Sequence, residues 1–266
     1  MKGFINNIFN AISDNLISGG AYYLIAKAAV VTVLIVIIAW IIAFTAGVGI
    51  SYLKSYEKKV VSRLGRALSF ILRSVPVLIS IWLLHYCVFG SSTLSGIITA
   101  GLSIGLYGAG HLSEIISESV KKTQERLSGG IKGKLEKYYF RMVVPQAMED
   151  SMFQIKRLAI QLLQWTTVAG YISVNDLTSV MYGIGHRTMY PFFSIAFTGI
   201  LYMLITILIE WIFKILEGIG VDIGSIGLDG DGPYATLILL HGLGAAEHLA
   251  LKSYLLSIWS LAAECH

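Results

Sequence analysis

The segment from Glu114 to Ala147, EIISESVKKTQERLSGGIKGKLEKYYFRMVVPQA, is the one long polar interruption between hydrophobic blocks. In its second half Ile131, Leu135, Tyr138, Tyr139 and Met142 recur at i, i+4, i+7, i+8 and i+11, which gathers them on one helical face and leaves Lys132, Glu136, Lys137 and Arg141 elsewhere. Ser128, Gly129 and Gly130 separate this amphipathic helix from a preceding stripe of Ile116, Val120 and Leu127. Pro145 steers Val144 away from the α region and marks the expected end. Two short helices thus meet at a corner between membrane-length apolar blocks. Such a corner suits docking on a partner outside the membrane, and periodicity alone equally allows an amphipathic loop lying on the lipid surface.

Composition agrees with a membrane setting. The chain is 55% hydrophobic and 14% charged, with mean hydropathy +0.71, against roughly 25% charged residues in soluble domains. Its net charge of +4 is concentrated rather than spread: of twenty Lys and Arg residues, six lie in 51–73 and seven in 121–141. Nucleic-acid binding is therefore not expected. Cys87 and Cys265 form neither a disulfide framework nor a metal-ligand spacing.

Outward from the polar segment, the chain divides into apolar runs. Residues 1–24 form a nearly uncharged amphipathic segment without a convincing secretory signal. Ala28 to Leu53 holds 26 residues without Asp, Glu, Lys or Arg; as a helix it spans about 39 Å, against about 30 Å of hydrocarbon. Lys54, Lys58, Lys59, Arg63, Arg66 and Arg73 follow in a short loop with Glu57 as its single acid, which the positive-inside rule assigns to the cytoplasm. The uncharged 74–113 is too long for one span and divides at Gly90-Ser91-Ser92 into helices at about 68–89 and 94–117. The second basic loop returns two spans later to the same side. A fourth span is expected at about 151–173, with Lys156 and Arg157 snorkelling near its inner end. Asn175 to Tyr190 is a short outer connection with room for a helical turn, and a fifth span ends near Leu216.

The expected fold is accordingly all-α: five core transmembrane helices over 25–217, the N-terminus outside and the C-terminus inside, with a cytoplasmic docking loop at 118–147. Gly218, Gly220, Gly224, Gly227, Gly230 and Gly232 open a linker and tail over 218–266. Asp229-Gly230-Asp231-Gly232 lacks the further ligands of a calcium loop, and His241, Glu247 and His248 lack a zinc spacing, so no metal is expected. No nucleophile elbow or phosphate-binding Gly-Lys loop is present, and the chain is not expected to be an enzyme. Polar groups inside the spans are the better functional signal, because a lone polar group in hydrocarbon is costly. His111 and Glu114 near the end of the third span, and Gln161, Gln164, Thr166 and Thr167 in the fourth, suggest a polar path; each taken singly also suits ordinary interhelical hydrogen bonding.

Ordered motifs support a more specific reading. Arg73-Ser74-Val75-Pro76 is similar to Arg-Gly-Thr-Pro, Ala109-Gly110-His111-Leu112-Ser113-Glu114 to Gly-Ala-Tyr-x-Ala-Glu, and Val144-Pro145-Gln146-Ala147 to Leu-Pro-Gln-Ala. Gln164-Trp165-Thr166-Thr167 stands in the place of Lys-Asp-Thr-Ser, Asp176-Leu177-Thr178 of Glu-Leu-Thr, and Thr188-Met189-Tyr190-Pro191-Phe192-Phe193 of Thr-Phe-Arg-Pro-Phe-Glu. In this order, over about 28–217, the set resembles the permease subunits of polar amino-acid ABC importers of the histidine, arginine and glutamine type. The resemblance implies a type I importer fold in the bacterial inner membrane, pairing with a second permease subunit, identical or not, and an external substrate-binding protein. It also implies an ATP-binding subunit docked on Arg126, Lys132, Leu135, Tyr138, Tyr139 and Met142, with ATP bound there and no cofactor on this chain. His111, Gln164, Thr166 and Thr167 would line the substrate path. Two departures stand out: Arg126-Leu127-Ser128 and Lys132 occupy the places of the docking motif's Glu-Ala-Ala and Gly, and both charges of Lys-Asp are lost. They keep open a second reading, an orphan membrane subunit that anchors or regulates a complex without conducting.

Overall fold

The computed structural model describes residues 20–89, 93–126 and 144–224. The chain divides into two units, 1–215 and 216–266; the description concerns the first, and of the second only the end of one helix, through Gly224, is described. Eight α-helices occur among the described residues: α1 Ala21–Ser55, α2 Lys59–Ser74, α3 Val77–Leu84, α4 Thr93–Arg126, α5 Val144–Asp150, α6 Met152–Trp165, α7 Leu177–Thr188 and α8 Pro191–Gly224. A π-helical turn, His85–Phe89, prolongs α3, and a 3₁₀ segment, Thr166–Ile172, prolongs α6.

Two helices are long and apolar enough to cross a membrane by themselves, Ala21–Ser55 and Pro191–Leu216. A third passes only as a pair, Lys59–Ser74 with Val77–Val88, bent by 96°. The span expected at 68–89 is therefore broken, because Pro76 removes a backbone donor and holds Val75 extended. The basic "loop" before it is largely the helix α2, whose exposed Val60, Leu64, Leu68 and Ile71 form a stripe at helical spacing.

Long-range contacts give the helix directions. Gly101 approaches Ile38, Gly105 approaches Ala39 and Ile42, and Gly108 approaches Ala43. Further along, Ser51 Oγ lies 3.1 Å from Ser117 Oγ. Contact positions rise together in both helices, so α1 and α4 run parallel. Trp40 meets Phe213 edge-on at 6.4 Å, while Ile25, Ala28 and Ala29 share a cluster with Phe197, Leu201 and Tyr202, so α8 also runs parallel to α1. By contrast Gln161 reaches Tyr107 while Val174 reaches Gly96, which sets α6 antiparallel to α4. Arg73 lies beside Gly110 and Trp82 beside Tyr171, which sets α3 antiparallel too. Directions alternate along the chain as five crossings require.

The helix α4 is the centre of this packing. Ala100, Ile104, Ala109, Leu112 and Ile116 are fully buried on it, and its glycines leave no room for a side chain against α1: a Cβ on Gly105 would lie 2.7 Å from Ile42 Cβ. Protein covers so much of α4 that it needs less apolar surface than a lipid-facing helix. It also runs nine residues past the expected end at 117.

Three further expectations are corrected. Asn175 to Tyr190, read as a connection with room for a single helical turn, contains the three-turn helix α7, whose Leu177, Met181 and Ile184 pack at i, i+4, i+7 with Ala21 and Ala28 of α1. Asp176 caps it, accepting from Thr178 N at 3.0 Å and Ser179 N at 3.2 Å. Pro145, expected to hold Val144 out of the α region, instead follows it inside α5, and the helix expected to end there lies outside the described residues. The Gly-rich linker expected from Gly218 begins inside α8, which continues through Gly224. The N-terminal segment 1–19, the turn at 90–92, the corner 127–143 and the tail 225–266 lie outside the described residues.

Candidate functional site

Where α1 ends and α2 begins, a cluster of charge is closed by α4. Gly65 lets α2 approach the last turn of α1, its would-be Cβ 2.9 Å from Lys54 N, and Gly110 does the same for Arg73 and Ser69 on α4. Lys54 Nζ donates to Glu114 Oε2 at 2.7 Å, Ser69 Oγ at 2.9 Å and Ser113 Oγ at 3.1 Å, which fills its three donor positions. Arg73 Nη2 lies 3.3 Å from the same Glu114 oxygen. Ser113 Oγ in turn lies within 3.0 Å of Ser69 Oγ and 2.8 Å of Gly110 O. The Lys54 side chain is 7% exposed and that of Glu114 38%, so the lysine is enclosed while the carboxylate keeps an open side.

From this cluster a polar strip continues along α4. Glu114, His111 and Tyr107 succeed one another at helical spacing and are all half-buried. The Tyr107 ring lies 4.6 Å from that of His111 and 5.6 Å, edge-on, from that of Trp165. Gln161 Nε2 donates to Tyr107 Oη at 3.1 Å. Gln164 and Thr167 follow Gln161 at successive three-residue steps and are exposed, with Thr167 Oγ1 donating to Gln164 O at 2.8 Å.

Thr166 does not join them. It is fully buried, donates to Leu163 O at 2.7 Å and lies 3.3 Å from Tyr202 Oη, which also lies 3.0 Å from Thr178 Oγ1. This three-hydroxyl contact fastens α8 to α7 and to the 3₁₀ segment. Of the four path residues expected from sequence, Gln164 and Thr167 are exposed, His111 is half-buried, and Thr166 is part of the packing. Tyr107 and the Lys54–Glu114–Arg73 cluster were not anticipated. The spacing of Tyr107, His111 and Glu114 was the available signal for the strip; nothing local pairs Lys54 with a residue sixty positions away.

Of the docking residues, Arg126 ends α4, and Lys132, Leu135, Tyr138, Tyr139 and Met142 lie outside the described residues. Beside the point where that segment returns at α5 is a polar cleft of about 160 Å³, lined by Glu118, Lys122, Asp150 and Gln154 among others. Ile116 and Val120, expected on an apolar stripe, are buried. Among the described residues no group of three or more His, Cys, Asp or Glu side chains is placed to hold a metal.

Comparison with known proteins bears on this arrangement. Residues 43–218 match the family described as binding-protein-dependent transport system inner membrane component. The chain is 24% identical over 203 residues to the nopaline transport system permease protein NocM of Agrobacterium fabrum, covering 70% of this chain and 83% of that one. It is 25% identical over 230 residues to the arginine ABC transporter permease protein ArtQ of Escherichia coli K12, covering 74% and 94%. A crystal structure of an amino acid ABC transporter with histidines superposes with TM-score 0.60 at 16% identity, over 74% of this chain and 94% of that one, and so shares the fold.

Proposed function

Because this chain belongs to the family of binding-protein-dependent transport system inner membrane components, we propose that it is the permease subunit of an ATP-driven importer whose cargo is a polar amino acid or amino-acid derivative, the chemistry named for its relatives. The observation that carries this reading is the continuous polar strip of Tyr107, His111, Glu114 and Gln161, half-buried on α4 and α6 and joined by the Gln161–Tyr107 hydrogen bond and the Tyr107–His111 ring contact. Polar side chains at membrane depth face either a partner helix or water. In a pair of such subunits the strip would face the aqueous route between them, with Gln164 and Thr167 further along and Thr166 holding the route's wall. Inward movement then follows alternating access, driven by ATP on a partner subunit.

The remaining parts of the proposal rest on family and charge. An ATP-binding subunit docks on the segment bearing Arg126 and Lys132, a second permease subunit completes the path, and an external binding protein delivers cargo. The chain is an integral membrane protein, placed by this reading in the bacterial inner membrane with both basic segments cytoplasmic. ATP is the partner's ligand, and this chain needs no cofactor of its own. No observation among the described residues favours the orphan-subunit reading.

The test is uptake of radiolabelled arginine, nopaline and cystine into liposomes holding the assembled complex, with ATP inside and binding protein outside. ATP-dependent accumulation of at least one is expected, with Gln161→Leu lowering it about tenfold, the scale of one lost polar contact. Unchanged uptake and selectivity in Gln161→Leu would remove the strip from the path. Failure to accumulate any amino acid from a wider panel would defeat the importer reading.

A further inference from the structure

Lys27 and Lys54 bracket the 26-residue uncharged run of α1. That run rises about 39 Å, so Lys27 marks one edge of the roughly 30 Å hydrocarbon layer and Lys54 the other. Tyr22 and Tyr23, exposed just before Lys27, stand where interfacial aromatics collect.

At the Lys27 edge, α1 and α7 border a cavity of about 420 Å³, a volume in the range of small-ligand sites. Val31, Ile97 and Val180 contribute its apolar wall, and Lys27, Asn175, Ser179 and Arg187 its polar lining. Two cations therefore line the cavity, and among the described residues no carboxylate does. Asp176, next in sequence, does not compensate them, because its buried carboxylate accepts from Thr178 N and Ser179 N. Ser179 Oγ already donates to the Val174 and Asp176 carbonyls and offers only lone pairs. The donors left are the exposed Lys27, Arg187 and Asn175, and neither cation has an ion-pair partner among the described residues.

We propose that this cavity binds the headgroup of an anionic phospholipid, its phosphate against Lys27 and Arg187 and the first methylenes of its chains along Val31, Ile97 and Val180. Charge complementarity selects the anion, and Arg187 can engage phosphate through two N–H groups. The apolar wall and the depth select a lipid over a soluble ion, since a free phosphate would leave that wall wet. The site sits on the membrane face opposite the Lys54 cluster, apart from the polar strip. A bound lipid there would brace α7 against α1.

Native mass spectrometry of the full chain released from mixed micelles tests this, comparing phosphatidylglycerol with phosphatidylcholine. Retention of phosphatidylglycerol is expected to exceed that of phosphatidylcholine. It should fall about fivefold in each of Lys27→Gln and Arg187→Gln, the scale of one cation at an anionic surface. Lys27→Arg, which keeps charge and should fold normally, is expected to retain the lipid, and inorganic phosphate at equal concentration should not displace it. Equal retention of both lipids, no loss in either glutamine variant, or displacement by phosphate alone would overturn the proposal. So would glutamine variants that keep the lipid but lose capture of the substrate-binding protein, because the cavity would then be a protein contact.

Discussion

Glu114 serves two cations at once, and the consequences of removing it differ for each. Lys54 is enclosed and directs all three of its N–H groups into the cluster, whereas the Arg73 side chain is 32% exposed and can turn to water. Loss of the carboxylate therefore strands the lysine. Glu114→Gln should lower stability by about 2 kcal/mol, below the 3–5 kcal/mol typical of a fully buried pair because the carboxylate keeps a solvated side. Adding Lys54→Met should recover much of that loss, a coupling that unfolding of the four members of the cycle in detergent would measure. Asp176 is a second case, a buried carboxylate whose work is capping. Asp176→Ala should cost about 1–2 kcal/mol and Asp176→Asn much less, since asparagine caps equally well; equal losses on thermal unfolding would contradict the capping role. Sequence signalled both acids, Glu114 as a charge at a helix end and Asp176 within a motif. It gave no sign of their partners, because Lys54 and Arg73 are brought to Glu114 only by the packing of three helices.

At the scale of elements, periodicity was most informative where it ran uninterrupted. The first and last spans, with long uncharged runs, were legible in their cores, although α1 begins at Ala21 before the uncharged run and α8 continues past Leu216 to Gly224. The amphipathic helix α2 was obscured by its own charge: six basic residues in 51–73 suggested a loop, although Val60, Leu64, Leu68 and Ile71 repeat at helical spacing. The helix α7 was obscured in a different way, since Gly183, Gly185 and its short length weakened a real stripe of Leu177, Met181 and Ile184. The glycines of α4 were legible as permitting close approach, and the structure identifies α1 as the helix approached. Replacing Gly105 with leucine would drive a side chain into the Ala39 carbonyl, 2.8 Å from the new Cβ. A loss of about 3 kcal/mol is expected, with Gly49→Leu as the control because that position faces open space. Thermal unfolding in detergent that left the two variants equal would show that α1 and α4 can separate without cost.

For the whole molecule, the decisive question is how ATP hydrolysed on another chain is felt by this one. Under the proposed function, the amphipathic periodicity of 131–142 makes Tyr138 or Tyr139 the expected anchor of that contact, with Lys134 expected at the rim, since buried aromatics dominate interface energy at about 2 kcal/mol or more each. Tyr138→Ala or Tyr139→Ala should detach the ATP-binding subunit on co-purification or abolish stimulated ATP hydrolysis. Lys134→Ala should change mainly the salt dependence. Retention of full coupling by both tyrosine variants, with reduced lipid binding instead, would make this segment a surface-lying helix.

The glycine seam between α1 and α4 has a mechanical corollary. At Gly101 and Gly105 the α4 backbone lies directly against Ile38 and Ile42, β-branched side chains stiff at χ1, so the pair has no long flexible side chains at this seam and behaves as a stiff beam. Compliance must then reside elsewhere, and two joints offer it: the right-angle bend at Pro76 and the 3₁₀ stretch Thr166–Ile172, where tighter winding marks a hinge. A push delivered beyond Arg126 would travel along α4 with little loss, and the helices on the far side of those joints would supply the displacement.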